Sequence, residues 1–452
     1  MSVLITNARV LTLASGDRPR RGDTLGVLAP IDRANVHVAD GRIQSVEELE
    51  KASGTGQLAS GKSAERIIDA AGRVLLPGFV DCHTHACWAG DRLDEWEMKK
   101  QGATYLELLE AGGGIMSTVR AVRAASEAEL AESLLARLER MLAQGTTAVE
   151  IKSGYGLDTE TELKMLGAID AAAKQWPGHV LMTACIGHAL DPAIRHESFV
   201  ARTIGETLDA VHGAFPAATI DAYCEKGAWS LDDCLGLFER ARELGHPCRV
   251  HADQFNALGM TPASIRLGLR SVDHLEASRP AELRALAESG LYGVMLPCSG
   301  FHLSEAGKKA PGTGHQASGK KEEGGATEPP AQAGGPLRAD AAGNDYADGR
   351  SFVDAGGALA IATNYNPGSA PCGSMPMTIA LAVRTLGLTT AEAIAAATVN
   401  SASLLGLSDR GTIVPGAVAD LVLLAHTDER MLGYEFGGDP VDHVIVGGVV
   451  VR

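Results

Sequence analysis

The chain has 452 residues, more than one small hydrophobic core serves, so its length favours a large α/β domain with an accessory domain. Apolar residues make up 45% and charged residues 21%, which is typical of a globular enzyme. The net charge of −16 and the lack of a long Lys/Arg run argue against a nucleic acid or an anionic membrane as partner, because either needs a basic surface.

The targeting and cysteine patterns favour a cytoplasmic protein. The N-terminal sequence has no basic segment followed by a continuous apolar one, and no stretch approaches the length of a membrane span. The eight cysteines are scattered without a C-x-x-C pair, which argues against a zinc ribbon. Disulfides are not expected in a reducing compartment.

Both ends of the chain carry short apolar runs separated by turn residues, a pattern typical of β-strands. The runs are residues 4–5, 9–13, 41–46, 411–414, 419–424 and 443–451. Because chain termini commonly lie close together, we predict one small composite β-sandwich domain built from residues 1–74 and 410–452.

The middle of the chain, residues 75–409, alternates short apolar runs with amphipathic stretches such as 127–143 and 161–175. The predicted strands are residues 74–76, 148–151, 181–185, 218–223, 249–251, 271–274, 293–296 and 359–363. About eight strand–helix units over this length favour an α/β fold of the (β/α)8 TIM-barrel type over an open doubly wound sheet. Polar residues recur at the strand ends, where such a barrel carries its chemistry.

Residues 304–349 interrupt this alternation. The segment is rich in Gly, Ala, Lys, Glu and Pro and offers almost nothing apolar to bury, so we predict a mobile low-complexity insertion within the barrel domain. It follows the seventh strand and would start near the mouth of the barrel. Either a lid over the site or a neutral surface insertion fits, and the composition favours the second.

The strongest chemical signal is a pair of histidines in the segment PGFVDCHTHAC. His83 and His85 are two residues apart after a hydrophobic strand, so their imidazoles can point the same way and reach one metal ion. His188, His251 and His274 follow other predicted strands. Any one alone is more often structural, but five histidines at the strand ends of one barrel predict a metal site.

The roles of the remaining histidines differ in this interpretation. We choose His251 as the third metal ligand and place His188 and His274 as groups that face the substrate or hydrogen-bond to the ligands. At the eighth strand, Asn364 stands where a metal-site carboxylate is expected, and Asn is a weaker, neutral ligand. Asn366, Gly368 and Ser369 follow in a turn that could hold a polar substrate.

Arg92 follows His85 by seven residues and is a candidate to pair with a substrate carboxylate through its planar guanidinium. Its alternative is an ordinary surface arginine, which its closeness to the histidine motif disfavours.

Six segments together resemble the imidazolonepropionase family of the amidohydrolases. They are PGFVDCHTHACWAGDR, GGGIMSTVRAVRAAS, EIKSGYGLDTETELKML, HADQFNALGM, DHLE and ATNYNPGS. The resemblance runs from about residue 4 to the C-terminus and is broken mainly by the insertion. It implies a metal-bearing barrel with a composite β domain, a homodimer, and one Zn or Fe ion per subunit. The implied reaction is hydrolysis of 4-imidazolone-5-propanoate to N-formimino-L-glutamate in histidine degradation.

The resemblance also implies roles for individual residues. The metal ligands would be His83, His85, His251 and, at the fourth position, Asn364. Substrate contacts and catalytic roles would fall to Arg92, Tyr155, His188, Gln254, His274, Asn366, Gly368 and Ser369. Among these, His274, Gln254 and His188 are the predicted catalytic residues.

The chain departs from the family's pattern in two places. The family has Asp at the position of Asn364, and an Arg in the helix after the motif is Lys99 here. We therefore keep two alternatives: a catalytically impaired member that binds metal or ligand, and a hydrolase or deaminase of another small cyclic amide. His274 or Asp253 would be the substitute for the missing carboxylate base. Lys152 resembles the carbamylated lysine of two-metal relatives, but its motif KSGYGL implies a single metal and a structural lysine.

Overall fold

The strands of the protein form two sheets. The computed structural model describes residues 2–14, 16–49, 64–103, 107–108, 111–306 and 345–452. The strands are β1 (Ser2–Leu11), β2 (Pro30–Ala39), β3 (Arg42–Glu48), β4 (Arg66–Asp69), β5 (Val74–Pro77), β6 (Phe79–Asp81), β7 (Thr146–Lys152), β8 (His179–Gly187), β9 (Thr219–Cys224), β10 (Cys248–Ala252), β11 (Ser271–His274), β12 (Tyr292–Met295), β13 (Ala358–Ile361), β14 (Leu421–Leu424), β15 (Val441–Val446) and β16 (Val449–Val450).

Eight consecutive strands, β6 to β13, form a parallel sheet in chain order, which confirms the predicted (β/α)8 barrel. Hydrogen bonds just beyond the strand ends bring the last strand back to the first. The backbone N–H of Asn364 donates to the His83 carbonyl at 3.0 Å, and that of His85 donates to the Tyr365 carbonyl at 3.0 Å. The polar residues that follow the strands are therefore gathered at one end of the barrel.

The α-helices surround the barrel or follow its last strand. They are Leu93–Gln101, Ile115–Ala124, Glu127–Ala143, Thr159–Ala173, His196–Arg202, Leu208–Ala214, Leu231–Glu243, Met260–Leu267, Pro280–Ser289, Pro297–Ala306, Gly349–Asp354, Met375–Thr385, Thr390–Ala395, Ser401–Leu404 and Met431–Tyr434. Among the described residues, none of the helices is long and apolar enough to span a membrane.

The helix Glu127–Ala143 shows how the sequence fixes such an element. Ser126 accepts a hydrogen bond from the Glu129 backbone N–H at 3.2 Å, and the Glu129 carboxylate accepts one from the Ser126 N–H at 2.8 Å. This capping box starts the helix. Its buried side chains include Leu130, Leu134 and Leu138, which lie on one face at a spacing of four residues. The predicted helix over 127–143 is confirmed.

Both termini contribute to a second, mixed sheet, in the order β16-β15-β14-β5-β1-β2-β3, with β4 also paired to β1. It has a hydrophobic core of its own, in which Val36, Val38 and Leu421 are buried. The composite β domain that the two β-rich ends predict is thus an extra sheet beside the barrel. The limits 1–74 with 410–452 and 75–409 stay predictions.

Two strand assignments from the sequence were wrong. Residues 74–76, predicted as a barrel strand, lie in β5, which pairs with β1 and β14 of the mixed sheet. The apolar run continues through Pro77 and Gly78 into β6, so composition alone does not show that the chain changes sheets there. Residues 411–414 form no strand, although the Ile413 N–H donates to the Thr12 carbonyl at 2.8 Å.

The predicted insertion at 304–349 falls mostly outside the described part of the chain, since residues 307–344 are not described. Its first residues, 304–306, end the helix Pro297–Ala306, and Gly349 begins the helix Gly349–Asp354.

Gly145 lies where the barrel packs against the mixed sheet, and it provides a test of that packing. We expect Gly145→Ala to destabilise the fold, because a Cβ there would lie 2.9 Å from Phe79 Cδ2 and 3.0 Å from Val422 Cγ2. Gly245→Ala is the matched control, since Gly145 and Gly245 have φ of +91° and +87° but nothing lies within 4 Å of a Cβ at Gly245.

In urea unfolding, Gly245→Ala should lose about 1 kcal/mol of unfolding free energy from backbone strain alone. Gly145→Ala should lose roughly 1–3 kcal/mol more, from overpacking. Equal losses in the two variants would contradict this account of the packing between the sheets.

Candidate active site

A cavity of about 180 Å³ opens at the carboxyl ends of the barrel strands. Apart from His83, which is fully buried, it is lined by every residue predicted for the site. The predicted lining residues are His85, Arg92, Tyr155, His188, His251, Gln254, His274, Asn364, Asn366, Gly368 and Ser369. These residues lie at or after the ends of six different strands, which the barrel brings together.

The three predicted histidine ligands form one cluster. His83, His85 and His251 each offer a ring nitrogen, and these atoms lie within 4.8 Å of one another. The Nε2 atoms of His85 and His251 are 3.0 Å apart, and His83 Nε2 is buried without a hydrogen-bond partner. Imidazole nitrogens that converge and contact no protein atom other than one another are the donor set of a transition-metal site, so the residues present fit a metal ion.

Two buried carboxylates set the orientation of these rings. His83 Nδ1 lies 2.6 Å from Asp273 Oδ2, and His251 Nδ1 lies 2.9 Å from Asp221 Oδ1. A neutral imidazole that donates its Nδ1–H to a carboxylate keeps its Nε2 lone pair free, and this tautomer binds metal. Asp221 and Asp273 were not predicted from the sequence, although both lie on barrel strands near a ligand.

The protonation states favour metal binding as well. Burial lowers the pKa of His83 and of His85 well below the ordinary value, and the neighbouring cations and imidazoles add to the effect. Burial also lowers the pKa of His251, although Asp221 opposes that shift. The three rings are therefore neutral at neutral pH, which is the form that binds metal.

The carboxylates of Asp221 and Asp273 are each paired with a buried cation. Lys152 Nζ lies 2.7 Å from Glu150 Oε1 and 2.7 Å from Asp221 Oδ2. Arg249 Nη2 lies 2.6 Å from Asp273 Oδ2. The Lys152 ammonium is thus already paired with two carboxylates, those of Glu150 and Asp221. This geometry agrees with the structural role that the sequence suggested for Lys152.

Asn364 occupies the position predicted for a fourth ligand. Its backbone has φ of +55°, and its side-chain Oδ1 is buried without a hydrogen-bond partner. The amide oxygen is thus available to the cavity, but it carries no charge and does not accept a proton as a carboxylate does.

The turn after Asn364 is organised by the Asn366 side chain. Asn366 Oδ1 accepts hydrogen bonds from the backbone N–H groups of Gly368 and Ser369 at 2.8 and 2.7 Å. Its Nδ2 donates to the Asn364 carbonyl at 2.6 Å and to Ser369 Oγ at 2.9 Å. Asn366 therefore holds the loop in shape, and Gly368 and Ser369 line the cavity beside it.

The wall of the cavity beside this turn carries a group of charges, since Arg92 lies next to Gly368. Arg92 Nε donates to Glu95 Oε2 at 2.5 Å, and Lys99 Nζ lies 2.5 Å from Glu95 Oε1. Burial opposes ionisation of Glu95, but the two cations outweigh it and hold the pKa of the carboxyl below its ordinary value. Two cations against one anion leave a net positive charge, which suits an anionic ligand. Glu95 was missed in the sequence, although its position three residues after Arg92 in a helix is a usable signal.

His188 and Tyr155 lie between the cluster and this wall. The His188 ring stacks on His85 with centroids 4.7 Å apart, and His188 Nδ1 lies 2.9 Å from the Gly154 carbonyl. Burial lowers the pKa of His188 to about 4, so at neutral pH Nδ1–H donates to that carbonyl and Nε2 is an acceptor. Burial raises the pKa of Tyr155, which keeps its hydroxyl protonated as a donor.

His274 and Asp253, the two candidate substitutes for a carboxylate base, are placed differently. His274 lines the cavity, and its Nδ1 lies 3.3 Å from Glu276 Oε1. The Asp253 carboxylate accepts hydrogen bonds from Thr261 and Ser278 at 2.8 and 2.7 Å and does not line the cavity. Of the two, only His274 is positioned to move a proton in the cavity.

The three-histidine cluster predicts a specific metal dependence. We expect His85→Ala to lose most of its bound metal after dialysis, because one of three convergent nitrogens is removed. His212→Ala is the control, since His212 contacts His246 at 3.1 Å on an outer helix. Elemental analysis by mass spectrometry measures both. Equal metal content in the two variants would show that the metal lies elsewhere.

Comparisons with known proteins point to one family. The sequence model of the Amidohydrolase family matches residues 74–451. A protein named imidazolonepropionase from Herpetosiphon aurantiacus is 43% identical, over 99% of this chain and 97% of that protein. Another of the same name from Deinococcus radiodurans is 38% identical, over 95% of each chain.

Solved structures agree on the fold. A 5-methylcytosine deaminase from Klebsiella pneumoniae superposes with a TM-score of 0.68 at 14% identity, over 100% of this chain and 97% of that one. An ochratoxinase from A. niger gives a TM-score of 0.66 at 16% identity, over 100% and 94%. From the fold, the histidine cluster and these full-length matches, the chain belongs to the imidazolonepropionase family of the amidohydrolases.

Proposed function

We propose that the protein hydrolyses 4-imidazolone-5-propanoate to N-formimino-L-glutamate in the degradation of histidine. The observation that carries the proposal is one cavity that joins a three-histidine metal cluster to a net positive wall, in a chain 43% identical to a relative named imidazolonepropionase. The substrate combines a hydrolysable ring with an anionic arm, and the cavity has a matching group for each part.

The position of bond cleavage follows from the atoms of substrate and product. The product keeps the N–CH=N unit of the ring and gains a carboxylate. The oxygen of water must therefore add to the ring carbonyl carbon, and the bond from that carbon to the lactam nitrogen breaks. The nitrogen takes up one proton of the water, and the new carboxylic acid releases the other.

The residues of the chain divide this work. Arg92 and Tyr155 bind the propanoate, because one is a cation and the other a protonated hydroxyl on the same side of the cavity. His188 and Gln254 hold the ring by hydrogen bonds. His274, whose Nδ1 faces Glu276, moves a proton through Nε2 from the water to the leaving nitrogen.

The metal ion in this proposal is one Zn or Fe per subunit, held by His83, His85 and His251 with Asn364 at the fourth position. When bound, such an ion lowers the pKa of a water molecule and so supplies hydroxide near neutral pH. The family resemblance further supports a homodimer and a cytoplasmic location. The two alternatives, an impaired member and a hydrolase of another cyclic amide, are not favoured by the named relatives.

Turnover of the proposed substrate is the direct test. Metal-loaded protein should consume 4-imidazolone-5-propanoate, measured by loss of the imidazolone absorbance and by the appearance of N-formimino-L-glutamate. Removing the metal with a chelator should abolish turnover, and adding Zn or Fe back should restore it. Stoichiometric metal without turnover would favour a catalytically impaired family member. Turnover of another heterocycle alone would favour a hydrolase or deaminase of another small cyclic amide.

Asn364→Asp tests the fourth position. A carboxylate there adds a charged ligand and a proton acceptor, so we expect tighter metal binding and a kcat higher by on the order of 10²-fold, the usual contribution of a general base. The measurements are kcat on metal-loaded protein and metal retention against a competing chelator. No gain in either would contradict the role given to this position.

A further inference from the structure

The carboxamide of Gln254 is held by a neighbour that the sequence did not single out. The Tyr223 hydroxyl donates a hydrogen bond to Gln254 Oε1 at 2.8 Å, and both residues line the cavity. Burial raises the pKa of Tyr223 well above its ordinary value, so the hydroxyl stays protonated and acts as a donor.

The barrel explains why Tyr223 reaches Gln254. Tyr223 lies on β9 directly beside His251 of β10 in the register of the two parallel strands. Glu225, two residues further on, accepts hydrogen bonds from the backbone N–H groups of Phe255 and Asn256 at 2.9 and 3.1 Å. The end of β9 therefore anchors both the Gln254 side chain and the backbone that follows it.

This hydrogen bond gives the Gln254 amide a direction. A primary amide has an acceptor end and a donor end, and the phenol occupies the acceptor. The NH2 group then remains for the cavity. In the reversed orientation the phenol hydrogen would lose this acceptor in a buried place, which is unfavourable.

We propose that Tyr223 is a positioning residue, which makes Gln254 a hydrogen-bond donor to an acceptor atom of the substrate ring. The site thereby selects heterocycles that present an acceptor at that point. The inference rests on the proposed function for the identity of the ring. In an imidazolone the candidate acceptors are the carbonyl oxygen and the unprotonated ring nitrogen.

Tyr223→Phe tests the proposal, with Tyr292→Phe as a matched control. The hydroxyl of Tyr292 also donates a part-buried hydrogen bond, to Ser403 Oγ at 2.8 Å, but Tyr292 does not line the cavity. We expect Tyr223→Phe to lower kcat/KM about 10-fold, mainly through KM, because a ring contact made equally in ground and transition states is a binding contact. Tyr292→Phe should stay within about twofold. Equal effects in the two variants would overturn the proposal.

A double-mutant cycle separates positioning from a merely structural role. If Tyr223 acts through Gln254, Tyr223→Phe should have no further effect on KM in a Gln254→Leu background. If the double variant instead showed the product of the two single-variant increases in KM, the inference would be overturned. Thermal unfolding of each variant, compared with Tyr292→Phe, shows whether the rise in KM accompanies a loss of stability.

Two ligands that cannot be hydrolysed identify the acceptor and keep the two proposals separate. Imidazole-propanoate offers a ring nitrogen but no carbonyl, and oxocyclopentyl-propanoate offers a carbonyl but no ring nitrogen. Calorimetry on metal-loaded protein should show that Tyr223→Phe weakens at least one of them about 10-fold. Unchanged affinity for both would overturn the inference. Lack of imidazolone turnover by the unmodified protein, with these affinity losses present, would overturn only the proposed function.

Discussion

The site depends on two buried carboxylates, Asp221 and Asp273, which fix the rings of His251 and His83. Each carboxylate is also paired with a buried cation, Lys152 in one case and Arg249 in the other. Breaking a buried pair on one side is strongly destabilising, because it leaves a charge without compensation in a medium of low polarity. The tautomers of His83 and His251 are therefore set by the interior of the barrel.

The same network leaves a charge for a metal to neutralise. Glu150, Asp221 and Asp273 are three carboxylates, against the two cations Lys152 and Arg249. These carboxylates outnumber the cations next to a group of neutral imidazoles. A divalent cation bound by the imidazoles would therefore be favoured both by coordination and by this field.

Backbone conformation at the strand ends serves the site as well. Asp253, His274 and Asn364 all have positive φ, in a region that residues other than glycine seldom occupy. Each follows or ends a barrel strand next to a cavity residue. Such strain clusters at functional sites, where the surrounding structure holds it in place. Here it turns the chain sharply after the strand, so that His274, Gln254 and Asn364 line the cavity.

The sequence by itself determined the class of fold and most of the residues that touch the cavity. Both periodicity and motif spacing are local properties, so the eight strand–helix units, the histidines after the strands and the charged Arg92 were visible in the chain. The boundary between β5 and β6 was not, because the apolar run from Val74 to Val80 serves two sheets without a change in composition.

Only the tertiary structure decided which groups hold the cavity residues in place. Asp221, Asp273 and Tyr223 act through partners on other elements, and their hydrogen bonds exist only once the barrel is assembled. The structure likewise showed that Asn366 shapes its own loop and that Asp253 is held by Thr261 and Ser278 and does not line the cavity. The direction of a side chain at a strand end depends on backbone angles and neighbours, and a linear sequence does not encode these in any single local pattern.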